Sequence, residues 1–152
     1  MVITEMNPES CIALLTRVRL GRLACAHEGQ PYITPMFWMV EGDYLYSFST
    51  QGQKIDWMRQ NPRVCVEFEE VSTTRDWATV IILGRFEELP DDPEHSDARR
   101  RPYHLLSTRP DWWEPGYVKT ALAEGIRPME PLYLRVRIAK ISGHHTAAPV
   151  RA

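Results

Sequence analysis

No stretch of this 152-residue chain comes near the roughly 20 consecutive apolar residues that a membrane helix needs. Its first residues lack the basic and then apolar pattern of a secretion signal, so a soluble, cytoplasmic protein without a membrane partner is expected. Charge of one sign is equally scarce. The net charge is -2, and Arg99-Arg100-Arg101 is the one basic run, too little for a general nucleic-acid binder. That run reads first as a solvated helix face and second as an attractor for an anionic ligand. Only three cysteines occur, Cys11, Cys25 and Cys65. They are widely separated, form no C-x-x-C pair or zinc spacing, and sit in apolar patterns, so buried reduced thiols are expected and no metal site. Neither the Walker loop nor the three-glycine dinucleotide fingerprint is present, and no catalytic triad emerges.

What is present is ordinary in bulk. Hydrophobic residues make up 43% and charged residues 25%, a globular composition sufficient for one domain that buries roughly two-thirds of its unfolded surface. The informative stretch is Tyr44-Leu-Tyr-Ser-Phe-Ser-Thr-Gln-Gly-Gln-Lys54, an alternating strand that enters a polar turn and then an amphipathic helix opened by Ile55, Trp57 and Met58. Such a turn offers unpaired backbone N–H groups and the positive end of a helix dipole. The hydroxyls of Ser49 and Thr50 and the ammonium of Lys54 surround the same point. A lysine in the first turn opposes the dipole unless an anion occupies the site. Two readings stay open: a phosphate receptor, or a capped helix carrying a solvent lysine.

Along the rest of the chain, Asn7-Pro8 starts a helix over residues 8–19, with Ile12, Leu14, Leu15 and Val18 at helical spacing. Strands follow at 20–26, 32–40 and 44–49, then a helix over 53–60 that Asn61-Pro62 stops. Val64, Val66 and Phe68 alternate with polar residues, and a polar loop (72–76) leads to a strand from Trp77 to Glu87. Within it Ala78-Thr-Val-Ile-Ile-Leu83 reads as buried on both faces. Residues 91–127 form a proline-broken helical insert, 131–142 the last strand, and 146–152 a loose tail behind a single domain of residues 1–145. Short antiparallel connections predict a mainly β protein, a small six-stranded barrel with peripheral helices. Pro35 in mid-strand implies an edge or a bulge, where a flat ligand could meet free backbone groups; its alternative role is to guard an edge against aggregation.

Gly21-Arg-Leu-Ala, Pro31-Tyr-Ile-Thr-Pro35, Tyr46-Ser-Phe-Ser-Thr-x-Gly-x-Lys54, Asn61-Pro-x-Val64 and Trp77-Ala-Thr-Val-Ile-x-x-Gly84 occur in that order. Together they resemble the flavin-mononucleotide-binding split-barrel family, the pyridoxamine 5'-phosphate oxidase-like group. The resemblance spans residues 20–89 and the last strand. It implies a six-stranded antiparallel split barrel that forms a homodimer with FMN at the subunit interface. Its implied cofactor contacts are the phosphate at Ser49, Thr50, Gln53 and Lys54, with Phe48 beside them. Thr34, Pro35, Met36 and Phe37 lie along the ring system, and Trp77 and Thr79 approach from the other subunit. Trp38, Trp77, Trp112 and Trp113 would suit the flavin pocket or the dimer interface.

The chain departs from pyridoxamine phosphate oxidases in carrying Gln53-Lys54 where they carry an Arg–Lys pair, and it has no counterpart of their C-terminal Arg/His segment. Vitamin B6 oxidation is therefore not expected. Nitroimidazole-resistance relatives place a histidine near Ser47 or Phe48, absent here, and haem-degrading relatives use a C-terminal histidine; His144-His145, just past the last strand, reads first as mobile surface polar sequence and second as that ligand. His27, His95 and His104 read as solvent-facing. The expected activity is an FMN-dependent oxidoreductase that passes a hydride through the flavin to or from a small molecule or nicotinamide nucleotide, with no side chain named as acid. The stretch 110–117 is the candidate lid. The alternatives are a flavin carrier without catalysis, and a barrel holding haem or a deazaflavin at the same interface.

Overall fold

The computed structural model describes residues 1–108, 121–122, 125–126 and 131–147. The chain opens with strand β1 (Val2–Glu5), fully exposed, and helix α1 (Pro8–Arg17). The Asn7 side chain accepts the Ser10 amide at 2.8 Å and Pro8 occupies the first turn, so the helix starts where its capping residues dictate. Strands β2 (Leu20–His27) and β3 (Gln30–Phe37) form a hairpin whose turn, Glu28-Gly29, has positive φ at both residues. Then come β4 (Met39–Glu41), β5 (Tyr44–Ser49), helix α2 (Gln53–Gln60), β6 (Arg63–Thr73) and β7 (Asp76–Glu88). A 3-10 turn (Pro93–His95) leads into α3 (Ser96–Thr108). The two-residue strands β8 (Ala121–Leu122) and β9 (Gly125–Ile126) form a separate two-stranded sheet, and β10 (Leu132–Ala147) closes the described chain.

The main sheet is antiparallel and has eight strands rather than six, in the order β3-β2-β6-β7-β10-β5-β4 with β1 added along β10. Two features raise the count. The exposed β1 has no apolar alternation to announce it; it joins through its backbone register alone, Val2 opposite Ala147 and Glu5 opposite His144. The second change is a break at Trp38, which divides the expected strand 32–40. Before it, Phe37 pairs with Leu20; after it, Met39 pairs with Tyr46. The first and last strands of the sheet order are thus joined through one residue, so the sheet curls until its ends meet. Across that seam the buried Ser47 hydroxyl donates to the Phe37 carbonyl. Edge strand β3 accommodates Pro31 and Pro35, because a missing donor on its free side breaks no ladder bond.

Leu23, Cys25, Val64, Val66, Phe68, Val80, Ile82, Leu134 and Val136 fill the interior, and α1 and α2 add Leu14, Leu15, Ile55 and Met58. Trp38 is 1% exposed in this core and Gly21 lies against it. A Cβ on Gly21 would come within 2.7 Å of the Phe68 ring and 2.9 Å of Trp38. Trp38 is therefore a packing residue of the corner rather than a surface for a ligand. A second cluster, Phe37, Tyr46, Phe48, Leu89, Leu105 and Tyr133, seats α3 against β5 and β10. Arg99 donates to the Leu89 carbonyl at 2.7 Å and lies 4.7 Å from the Tyr133 ring, while Arg101 forks onto Glu41. Two of the three consecutive arginines thus fasten the helix, and Arg100 alone keeps a loose, exposed contact with Asp97.

The expected tail at 146 is also revised. β10 continues to Ala147, and the buried Thr146 hydroxyl accepts the Trp77 amide at 3.1 Å and donates to the Arg75 carbonyl at 3.0 Å. His144 and His145 accordingly stand in a ladder between β1 and β7, not in a mobile tail. As neighbours on one strand they face opposite sides and do not converge on one ligand. The expected lid at 110–117, with Trp112 and Trp113, and residues 148–152 lie outside the described residues. No helix among the described residues is long and apolar enough to cross a membrane.

Candidate functional site

The turn between β5 and α2 follows from sequence that stops alternating at Ser49 and resumes a helical pattern at Ile55. Gly52 precedes the helix with extended backbone and caps it with no side chain; its carbonyl accepts from Ile55 and Asp56, so the amides of Gln53 and Lys54 have no helical partner. A Cβ on Gly52 would meet nothing within 4 Å, which leaves the space above the turn open. Thr50 is half-buried and Gln53 exposed. Ser49 is buried at 7% exposure and its hydroxyl donates to the Thr50 carbonyl at 3.1 Å, so it shapes the turn from within. Asp56 stands on the same helical turn but is occupied by Gln51 at 2.6 Å and by Arg59 at 3.7 Å.

Lys54 is the distinctive group. It is half-buried, and no carboxylate among the described residues lies within ion-pair distance of it. Burial holds its ammonium below the ordinary lysine range, and the nearby Cys25 thiol opposes that shift. Cys25 in turn is pushed up by its own burial and pulled back by Lys54. The sequence marked Cys25 only as a small core residue; no local signal ties it to a lysine on a distant helix. Besides Cys25, helix α2 presents Trp57, whose ring lies 5.6 Å from His27 and 5.9 Å from Tyr32. His27 is thus packed on an aromatic ring rather than solvent-facing.

Register fixes where the strand residues go. Thr34 pairs with Leu23 and Met36 with Gly21, so both share the inward face over which α2 lies; Thr34 is half-buried and Met36 buried. Pro35 and Phe37 face the other way, Pro35 exposed and Phe37 packed with Phe48 under α3. Phe37, Phe48 and Met36 are therefore anchored in cores, and Thr34, Pro35, Thr50, Gln53 and Lys54 keep some access to solvent.

Trp77 and Thr79 are not brought to this turn. Ser49 pairs with Leu132 at one end of β10, whereas Thr79 pairs with His144 near the other, about 40 Å away along the strand. Trp77, half-buried, instead lines a cleft of ≈ 400 Å³ with Met6, Ser10, Glu70 and Thr146. The six-residue run 78–83 is buried on one face only: Val80 and Ile82 are inside, while Ile81 is 40% and Leu83 46% exposed. No cluster of metal-ligating side chains occurs among the described residues, and Cys11, Cys25 and Cys65 are all free thiols.

This sequence and fold have counterparts among known proteins. The sequence profile of the pyridoxamine 5'-phosphate oxidase family matches residues 7–145. An uncharacterized protein of Rhizobium meliloti is 36% identical over 148 residues, covering 97% of this chain and 98% of its own. A FAD-binding protein of Mesorhizobium loti, known as a crystal structure, superposes with a TM-score of 0.81 at 39% identity and covers 97% of this chain and all of its own. The FAD-binding protein of Mycobacterium smegmatis shares the fold with a TM-score of 0.63 at 20% identity over 93% of this chain and 98% of its own. The chain, with its curled antiparallel sheet and its strand-turn-helix at Ser49 to Lys54, belongs to the pyridoxamine 5'-phosphate oxidase family of flavin-binding proteins.

Proposed function

We propose that this protein binds FMN in a seam between two copies of itself and uses it as an oxidoreductase on a small molecule. The observation that carries the reading is Lys54, a half-buried ammonium without a carboxylate at the start of an uncapped helix. A phosphate would answer both the unpaired charge and the free amides of Gln53 and Lys54. The residues fit the group, although with one cation in place of two. Lys54 and the Thr50 hydroxyl would hold the phosphate, and Gln53 would reach it from the exposed side. The edge strand at Thr34 and Pro35 offers backbone groups on its unpaired side to the ring system. A bound flavin supplies reversible hydride chemistry that this chain's own side chains lack.

The second copy is argued from two features. Trp77 and Thr79 sit at the end of β7 remote from the turn, so one chain alone does not bring both parts together. The outer face between them carries Ile33 at 62% exposure with Ile81 and Leu83, an apolar strip of the kind that a partner covers. A two-fold axis lying in the plane of this face, across the strands, would lay the partner on it and turn the Trp77 end of one copy toward the α2 end of the other. The β-branched run 78–83 would then be buried on both faces.

A second reading, FAD in place of FMN, is favoured by the 39%-identical Mesorhizobium loti protein, which binds FAD. One experiment tests the proposal: reconstitution with FMN and with FAD, followed by NADPH or NADH under anaerobic conditions. Flavin absorbance that co-purifies with the protein and bleaches with a nicotinamide donor supports an oxidoreductase. Bound flavin that no donor reduces reassigns the protein as a carrier, and absence of any flavin binding removes the proposal.

A further inference from the structure

Strand register places three arginines side by side: Arg63 of β6 pairs with Arg85 of β7, and Arg85 with Arg137 of β10. Their Cα atoms span about 10 Å across the three strands. All three side chains are exposed on the outer face of the sheet. Like charges directly opposite one another destabilise a sheet, so such a row calls for a counter-charge. Glu87 supplies part of it, at 2.6 Å from Arg135 and 3.4 Å from Arg137. Arg63 and Arg85 have no carboxylate within ion-pair distance among the described residues.

A bulge adds a fourth cation. The register of β10 against β7 shifts between Ile138 and Lys140, where Ala139 is the extra residue. Residues three apart on a regular strand face opposite sides; the bulge instead brings Lys140, opposite Leu83, onto the face that Arg137 occupies. Lys140 likewise has no carboxylate partner among the described residues. Between these cations and edge strand β3 lies a groove of ≈ 520 Å³, lined by Arg63 and Lys140 and floored by Ala24, Cys65 and Leu83. Cys25, the neighbour of Lys54, lines it as well.

We infer that Arg63, Arg85, Arg137 and Lys140 form a second anion site, one that takes a diphosphate-sized phosphoryl group with its apolar attachment lying in the groove. Guanidinium forks match phosphoryl oxygens in pairs, and a row of three suits two linked phosphates better than one. A flavin whose phosphate sits at Lys54 does not supply this group, because the two phosphates of a dinucleotide share one bridging oxygen and stay together. The group therefore belongs to a separate nucleoside diphosphate.

The test titrates wild type, Arg85→Gln and Arg63→Gln with FMN, FAD and ADP by calorimetry, with ADP also added to FMN-saturated protein. FMN and FAD affinities hold in both variants, while ADP binds FMN-saturated wild type and falls roughly tenfold or more in them. ADP binding without any flavin binding would sink the flavin reading and keep the arginine site. If both variants bind ADP as wild type does, or lose only self-association in sedimentation, the row serves no nucleotide and the inference is overturned. Circular dichroism melting of each variant establishes that it is folded.

Discussion

Replacing Lys54 with methionine keeps the length and apolar stem of the side chain and removes only its charge. Two opposite effects follow. Lys54 is half-buried without a carboxylate, so its charge is a cost in the free protein. A phosphate on the turn would convert that cost into a charge-assisted hydrogen bond, a class worth about 1.5–3 kcal/mol. Lys54→Met should therefore weaken FMN by roughly 10- to 150-fold, and riboflavin, which lacks the phosphate, hardly at all. Quenching of flavin fluorescence measures both constants on the same protein. Stability gives an independent readout. Because burial depresses the folded ammonium's pKa, the unfolded chain holds its proton to higher pH than the folded one. Wild-type stability relative to Lys54→Met should then rise as pH climbs from that depressed value to the ordinary lysine range, and stay level below it. Equal losses for FMN and riboflavin, or no loss for either, would refute the phosphate seat at this turn.

Three further outcomes are expected. Gly84→Ala should destabilise by about 1–3 kcal/mol in urea melts, because a Cβ there would come within 2.5 Å of the Arg137 carbonyl and a Val136 methyl. Thr146→Val removes the hydroxyl that joins the Trp77 amide to the Arg75 carbonyl, so a loss of about 1–3 kcal/mol is expected where a disordered tail would show none. Leu83→Asp places a charge in the middle of the exposed apolar strip and should shift a dimer to monomer in sedimentation velocity, with flavin binding lost alongside; an unchanged dimer would move the subunit contact elsewhere.

The local devices of this fold are readable one by one. Asn7-Pro8 caps α1, Asn61 ends α2 with its amide bonded to the Trp57 carbonyl, and Glu28-Gly29 and Gly42 bend two hairpins. The placement of Lys54 was legible to the same extent: it stands at a helix start because Ser49 ends one periodicity and Ile55 begins another. The misreadings share a cause. β1 is exposed at all four residues, so no apolar alternation marks it. Tyr32 to Val40 reads as one run because each half is apolar; the break at Trp38 exists only since the two halves pair with different strands. Thr146 is polar and near the end, yet the β6–β7 hairpin reaches back to it.

Period-two alternation determined by itself which residues of β6 and β10 face inward, and local signals gave the caps, the turns and the position of a lysine beside free amides. It carries no information on which strands are neighbours. That was decided in three dimensions, where burial of Val66, Ile82 and Val136 in one core fixes register across strands far apart in the chain. Register alone lines up Arg63, Arg85 and Arg137, sets Trp77 far from Ser49, and leaves Ile81 and Leu83 on an outer face.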